Sequence, residues 1–176
     1  MGRLNGKKVL MVIAKKDFRD EEYVKPREIL EKDGAKVTVA SSSLAEATGM
    51  LGMKVTADIL LSQAKSADYD AVIYVGGMGS TEYWEDSTAQ RLAKEFAGAG
   101  KVTSAICLAP VTLANAGLLV GKQATVWESA RGQLKEKGAK LATTGVARDG
   151  AIITADGPQS AEAFGNALAD ALAAKK

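Results

Sequence analysis

The chain alternates bare apolar runs of strand length with segments whose apolar residues recur at helical spacing. Residues 8–14 (KVLMVIA) form a near-continuous apolar run, as expected of a strand covered on both faces, and read as the first, central strand. After a polar loop (KKDFRDEE), residues 23–32 set Val24, Ile29 and Leu30 at helical spacing, with Pro26 in the opening turns and Gly34 as C-cap. Strand two covers 35–40 (AKVTVA). Residues 44–56 predict a loop with a small hairpin around 53–55. Residues 71–75 (AVIYV) form another bare strand, ending in Gly76 and Gly77. Leu92, Ala93 and Phe96 then define a helix over 88–97, which Gly98 and Gly100 stop before a short strand at 102–106.

The second half predicts a helix over 112–119, a fifth strand over 123–127, a polar helix over 129–137 and a short strand over 140–142. Asp149-Gly150 between two apolar runs signals a hairpin turn. Gly157-Pro158 opens a last helix over 159–173, with Phe164, Leu168 and Leu172 along one stripe. Strands alternating with helices imply a parallel sheet covered on both faces. With right-handed crossovers, the expected α/β fold is a flavodoxin-like, doubly wound parallel sheet. No repeat, linker or composition break divides the chain, so one domain over 1–176 is expected.

Composition narrows the function classes. A length of 176 residues, 47% hydrophobic and 25% charged, suits one soluble domain with a sizeable core. A net charge of +2 argues for no nucleic-acid surface. The apolar runs are too short to span a bilayer, and MGRLNGKK has no signal-peptide apolar region, so a cytoplasmic location without membrane partners is expected. A single cysteine, Cys107, cannot form an internal disulfide, which agrees with a reducing compartment. Histidine is absent, which excludes Ser-His-Asp and Cys-His machinery within the chain and removes the commonest metal ligand. Neither a metal nor a cofactor is expected.

That cysteine carries the candidate chemistry. In KVTSAICLAPVTLANAG, Cys107 stands where the strand at 102–106 gives way to a helix that Pro110 suits in its first turn. Ala105 and Ala109, small residues two positions to either side, are what a sharp turn needs if its central side chain is to project outward. This is the logic of a nucleophile elbow, with sulfur in place of oxygen. The N–H groups of the following helix would favour thiolate. A lone cysteine is otherwise a buried packing residue, and that alternative stands beside the first.

In a doubly wound sheet, ligands bind beyond the carboxyl ends of the strands. Glu21 and Glu22 follow strand one, Gly76-Gly77 follows the AVIYV strand, and Trp127-Glu128 follows the fifth, so all are expected on the edge that carries Cys107. The glycine pair and the Leu108 N–H would form an oxyanion hole, unless the glycines serve only a tight turn. Glu22 is a candidate proton partner for the thiol, or else a solvated acid at a helix start. Glu82 and Trp84, in STEYWED, are left open between a role and an exposed loop. GGMGS matches neither phosphate-loop pattern.

With these residues in view, the chain resembles the DJ-1/PfpI superfamily of PfpI-type intracellular proteases and deglycases. The similarity rests on KKVLMVIAKKDFRDEEYVKP, YDAVIYVGGMGSTEYW, KVTSAICLAPVTLANAGLLVGKQAT and DGAIITADGPQSAEAF, in that order. The resemblance implies a glutamine-amidotransferase-like fold and a nucleophile at Cys107 beside the carboxylate of Glu22, with backbone N–H groups from Gly76, Gly77 and Leu108. It also implies a homodimer or larger ring, in which Glu82 would lie at a subunit interface. PfpI-type proteases place histidine directly after the cysteine, where this chain has Leu108, and deglycase-type members often carry one near Trp127. Both are missing, which argues against a cysteine peptidase.

Two functions follow as expectations. The first is a stress-related thiol enzyme of the glyoxalase or deglycase type, in which Cys107 attacks a small reactive carbonyl or a glycated substrate and Glu22 moves the proton. The second is a non-enzymatic redox or chaperone-like stress protein using an oxidisable Cys107. A nucleotide- or anion-binding module at the glycine loop is a third, weaker reading.

Overall fold

The computed structural model describes residues 2–175. In chain order its elements are β1 (Lys8–Val12), β2 (Lys16–Phe18), α1 (Asp20–Lys32), β3 (Lys36–Ser41), β4 (Ala47–Gly49), β5 (Lys54–Val55), β6 (Ile59–Leu60), β7 (Ala71–Tyr74), α2 (Ser87–Gly98), β8 (Val102–Ile106), α3 (Pro110–Asn115), β9 (Gln123–Ala124), α4 (Arg131–Glu136), β10 (Lys140–Leu141), β11 (Val146–Asp149), β12 (Ile152–Ala155) and α5 (Ala161–Ala174). Period-two alternation along the central strand sets the layers. Val9, Met11 and Ile13 enter one apolar cluster, while Leu10, Val12 and Ala14 enter another. Both faces of β1 therefore need a helical cover.

Helices α1 and α5 supply the first, through Leu30, Phe164, Leu168 and Leu172. They approach closely because Gly165 leaves room for Pro26 and Ile29. Helices α2, α3 and α4 supply the second, through Leu92, Phe96, Leu113 and Leu134. The main sheet has the order β11-β12-β8-β7-β1-β3-β6, parallel throughout except for β11, which pairs antiparallel with β12. Chain order reverses at β1, with β3 and β6 on one side and β7, β8 and β12 on the other. This is the expected flavodoxin-like order, and it puts a ligand crevice at the carboxyl ends of β1 and β7. No helix among the described residues is long and apolar enough to cross a membrane.

Several local expectations are corrected. The polar segment after β1 contains β2, paired with β4, which in turn pairs with β5 to make the expected hairpin. Helix α1 begins at Asp20 and not at 23, because Asp20, Glu21 and Glu22 form its first turn, where the helix dipole favours acids. Helix α3 covers Pro110–Asn115 and not 112–119. The predicted fifth strand is only β9, and it pairs with β10 outside the main sheet. Beyond β9 the Thr125 N–H donates to Thr154 Oγ1 and the Trp127 N–H to the Cys107 carbonyl, so the chain leaves any ladder.

Candidate active site at the carboxyl edge of the sheet

Cys107 follows β8 directly and holds φ at +67°. A left-handed backbone at a non-glycine residue costs about 1 kcal/mol or more and persists only where its surroundings over-determine it. Here they do. Its N–H donates to the Ala155 carbonyl at 2.9 Å, and its own carbonyl accepts the Trp127 N–H at 2.8 Å. Trp84 Nε1 donates to the next carbonyl, that of Leu108, at 2.9 Å. Ala105 and Ala109 are buried beside the turn, as its sharpness requires. The residue is only 7% exposed, yet it borders a pocket of about 240 Å³ walled by Arg19, Met50, Met78, Leu108, Trp127 and Pro158. It is thus presented to a cavity and not sealed into the core.

Glu22 reaches the same place from the first turn of α1. It is fully buried, and neither carboxyl oxygen has a partner in hydrogen-bond geometry. Burial pushes its carboxyl up to about 8; the neighbouring Cys107 thiol, the charge of Arg19 and the Gly76 N–H oppose this without overcoming it. Burial also pushes the Cys107 thiol up, to about 12, and the negative charge of an ionised Glu22 adds to the rise, against the N–H groups of Gly77 and Leu108. The resting thiolate expected from the sequence is therefore corrected: near pH 7 the pair is mostly uncharged. Its first proton leaves near 8 and belongs to both groups, since repulsion from Glu22 exists only after Glu22 has ionised.

The glycines have a spatial role beyond any turn. A methyl group on Gly76 would overlap Glu22 Oε1, the Ile106 carbonyl oxygen and Cys107 Cβ. Gly77, at φ +104°, lies against the backbone of Asp17, Phe18 and Arg19, and Gly79 lies against the Lys16 carbonyl. GGMGS is where β2 packs onto the loop after β7. Of the expected N–H groups, those of Gly77 and Leu108 lower the Cys107 thiol and that of Gly76 lowers the Glu22 carboxyl, although neither carboxyl oxygen is in hydrogen-bond geometry with a donor.

The remaining candidates divide. Trp127 is in the pocket wall and also borders a wider cleft of about 840 Å³, where Glu128 lies with Lys25 and Arg131; Glu128 does not line the cysteine pocket. Glu21 is held by Arg19 at 2.7 Å. Glu82 is exposed, accepts the Lys15 N–H at 2.9 Å and lines a separate pocket near Ser41. Sequence reasoning missed Arg19, Met50 and Met78 in the wall. It also missed Asp20, which accepts the N–H groups of Leu51 and Met53 at 2.9 Å each and so pins the loop that carries Met50. The run of acids opening α1 was the available signal for Asp20; nothing local marks the methionines.

Comparison with known proteins agrees with this architecture. An uncharacterized protein of Methanocaldococcus jannaschii is 48% identical over 161 residues, covering 90% of this chain and 78% of that protein. Protein dj-1beta of Drosophila melanogaster is 32% identical over 171 residues, covering 96% of this chain and 91% of its own. Its crystal structure matches with a TM-score of 0.88 at 30% identity, over 99% of this chain and 92% of that one. The crystal structure of a ThiJ/PfpI domain protein from Brachyspira murdochii matches with a TM-score of 0.94 at 33% identity, over 97% of this chain and 100% of that one. The model of the DJ-1/PfpI family covers residues 7–171, and with near-complete coverage by relatives above 30% identity, this chain belongs to the DJ-1/PfpI family.

Proposed function

We propose that the protein is a thiol enzyme that converts reactive 2-oxoaldehydes, methylglyoxal being the simplest test case, to 2-hydroxy acids. The observation that carries this reading is a buried, unpartnered Glu22 carboxyl beside a sulfur held at a strained turn. The pair loses its first proton near 8, so about one molecule in ten carries that negative charge at pH 7, close to what general-base chemistry needs. Glu22 takes the thiol proton as sulfur attacks the aldehyde carbon, and the C=O π pair moves to oxygen. That oxygen then receives the proton from Glu22, leaving a hemithioacetal on Cys107. The proton on the former aldehyde carbon then moves to the neighbouring ketone carbon, and the hemithioacetal hydroxyl proton moves to the ketone oxygen, which gives a thioester of the 2-hydroxy acid. One carbon is oxidised as its neighbour is reduced, so no external oxidant is needed. Water cleaves the thioester and restores the thiol. Lactate formation from methylglyoxal above that of the Cys107→Ser variant is expected, and equal rates would end this reading.

A second reading draws on the same donors. The N–H groups of Gly77 and Leu108 and a protonated Glu22 would hydrogen-bond the oxygens of a cysteine sulfinate, formed by two successive peroxide oxidations that each release water. Mild peroxide is expected to add one or two oxygens to the peptide that carries Cys107, an addition absent at that position in Cys107→Ser. A Cys107 peptide that stays unoxidised while the exposed Met50 and Met78 gain oxygen would remove the redox reading.

A further inference from the structure

We propose that the pocket over Cys107 is shaped for a 2-oxoaldehyde bearing an aryl or branched-alkyl substituent, which lies against Trp127 and between the thioethers of Met50 and Met78. This rests on the thiol reaction proposed above and names the substrate class for that same site.

Size is the first reason. At about 30 Å³ per water, a pocket of about 240 Å³ holds roughly eight water-sized groups; a bound dicarbonyl takes about four of them, and the single methyl of methylglyoxal leaves most of the rest unfilled. Wall chemistry is the second. Met50 is 38% exposed, Met78 65% and Trp127 44% on the single chain, so three large apolar side chains surround one nucleophile without being covered by the chain's own residues. Such a patch is costly to leave wet and is relieved by an apolar ligand group. Thioethers and an indole suit a flat ring, because sulfur packs favourably at aromatic edges.

Backbone anchoring is the third reason, since the segments that carry Met50 and Trp127 are held in place. The Met50 N–H donates to the Phe18 carbonyl at 2.8 Å, within the loop pinned by Asp20. Trp127 donates its N–H to the Cys107 carbonyl and lays its ring on Gly157, where a methyl group would collide with it. Arg19 is the only charged residue among those lining the pocket. Glu21 holds its Nε at 2.7 Å and Nη2 at 3.1 Å, and Nη1, with no hydrogen bond among the described residues, is left as a donor for the ketone oxygen.

Paired alkylators test this without relying on turnover. Iodoacetamide and N-phenyl-iodoacetamide share one reaction, in which sulfur displaces iodide from the CH2 carbon and the thiol proton is lost, and they differ only in the ring. Each rate at Cys107 is divided by the rate of the same reagent with N-acetylcysteine. The anilide is expected to gain about tenfold or more over iodoacetamide, the size expected for burying a ring in an apolar site. That preference should fall in Trp127→Ser or in the well-exposed Met78→Ser. No preference in the wild type, or one kept in both variants, overturns the proposal. Phenylglyoxal and methylglyoxal turnover separates the two claims. An anilide preference with neither dicarbonyl converted sinks the reaction and keeps the pocket, whereas methylglyoxal conversion without the preference sinks the pocket alone.

Discussion

Glu22→Gln is expected to slow both Cys107 alkylation and methylglyoxal turnover at pH 7 by about tenfold or more, and to abolish the rise in rate near pH 8. The wild-type pair loses its first proton near 8, and whichever atom then carries the charge, sulfur becomes the nucleophile by an internal transfer. Glutamine cannot accept that proton. The thiol is left with its own burial penalty, which places it above its ordinary 9.0, and each unit of upward shift costs about tenfold in thiolate at neutral pH. An alkylation profile with the same midpoint in both proteins would remove Glu22 from the mechanism.

The same substitution should act oppositely on stability. Glu22 ionises near its ordinary 4.5 in the unfolded chain but at about 8 when folded. Between those values the folded protein holds a proton that the unfolded chain has released. Wild-type stability therefore falls as pH rises across this window, and falls no further above it. Glutamine carries no such proton. The stability of Glu22→Gln relative to wild type should grow from pH 5 to pH 9, by several kcal/mol at most. Urea midpoints at the two pH values measure this, and a gap that does not change with pH would show that Glu22 is not a buried neutral acid.

Gly76→Ala is expected to destabilise the fold by about 3 kcal/mol and to bring turnover down to that of Cys107→Ser. The added methyl meets three groups at once, Glu22 Oε1, the Ile106 carbonyl oxygen and Cys107 Cβ. Two of these cannot yield cheaply. The Ile106 carbonyl belongs to β8, and Cys107 is pinned through its own N–H and carbonyl. Only the Glu22 carboxyl can swing, and doing so takes it away from the sulfur. Urea unfolding with an unchanged slope and a lower midpoint would register the loss. Gly98→Ala, which has nothing within 4 Å of its added methyl on helix α2, is the comparison that should leave both quantities nearly unchanged.

Much of the scaffold was legible because burial on both sides of a strand leaves a local mark. The strand at 102–106 is observed with those limits, and the alternation in β1 separates the two apolar layers residue by residue. Helix ends were less legible. Acids read as loop turned out to be the first turn of α1, and Pro110 opened its helix two residues before the apolar spacing suggested. The 123–127 segment has strand composition, yet its amides are taken by Thr154 and Cys107 from other parts of the chain. Pairing is a property of the partner as much as of the segment, so composition could not reveal it.

What the sequence determined by itself is the order of the buried strands β1, β3, β7 and β8 and of the helices, a cysteine at the turn after a buried strand, and a chain with no histidine to serve it. Tertiary structure alone decided that Glu22, far away in the chain, lies against that sulfur with both oxygens unpartnered, and that Arg19, Met50, Met78 and Trp127 wall the space above it. The reason is physical. A pKa set by desolvation is a sum over every atom that excludes water, and those atoms come from β2, α1, the loop after β7 and the elbow together. Each segment carries its own periodicity in its residues; the water they jointly exclude appears only when the sheet has brought their ends to one edge.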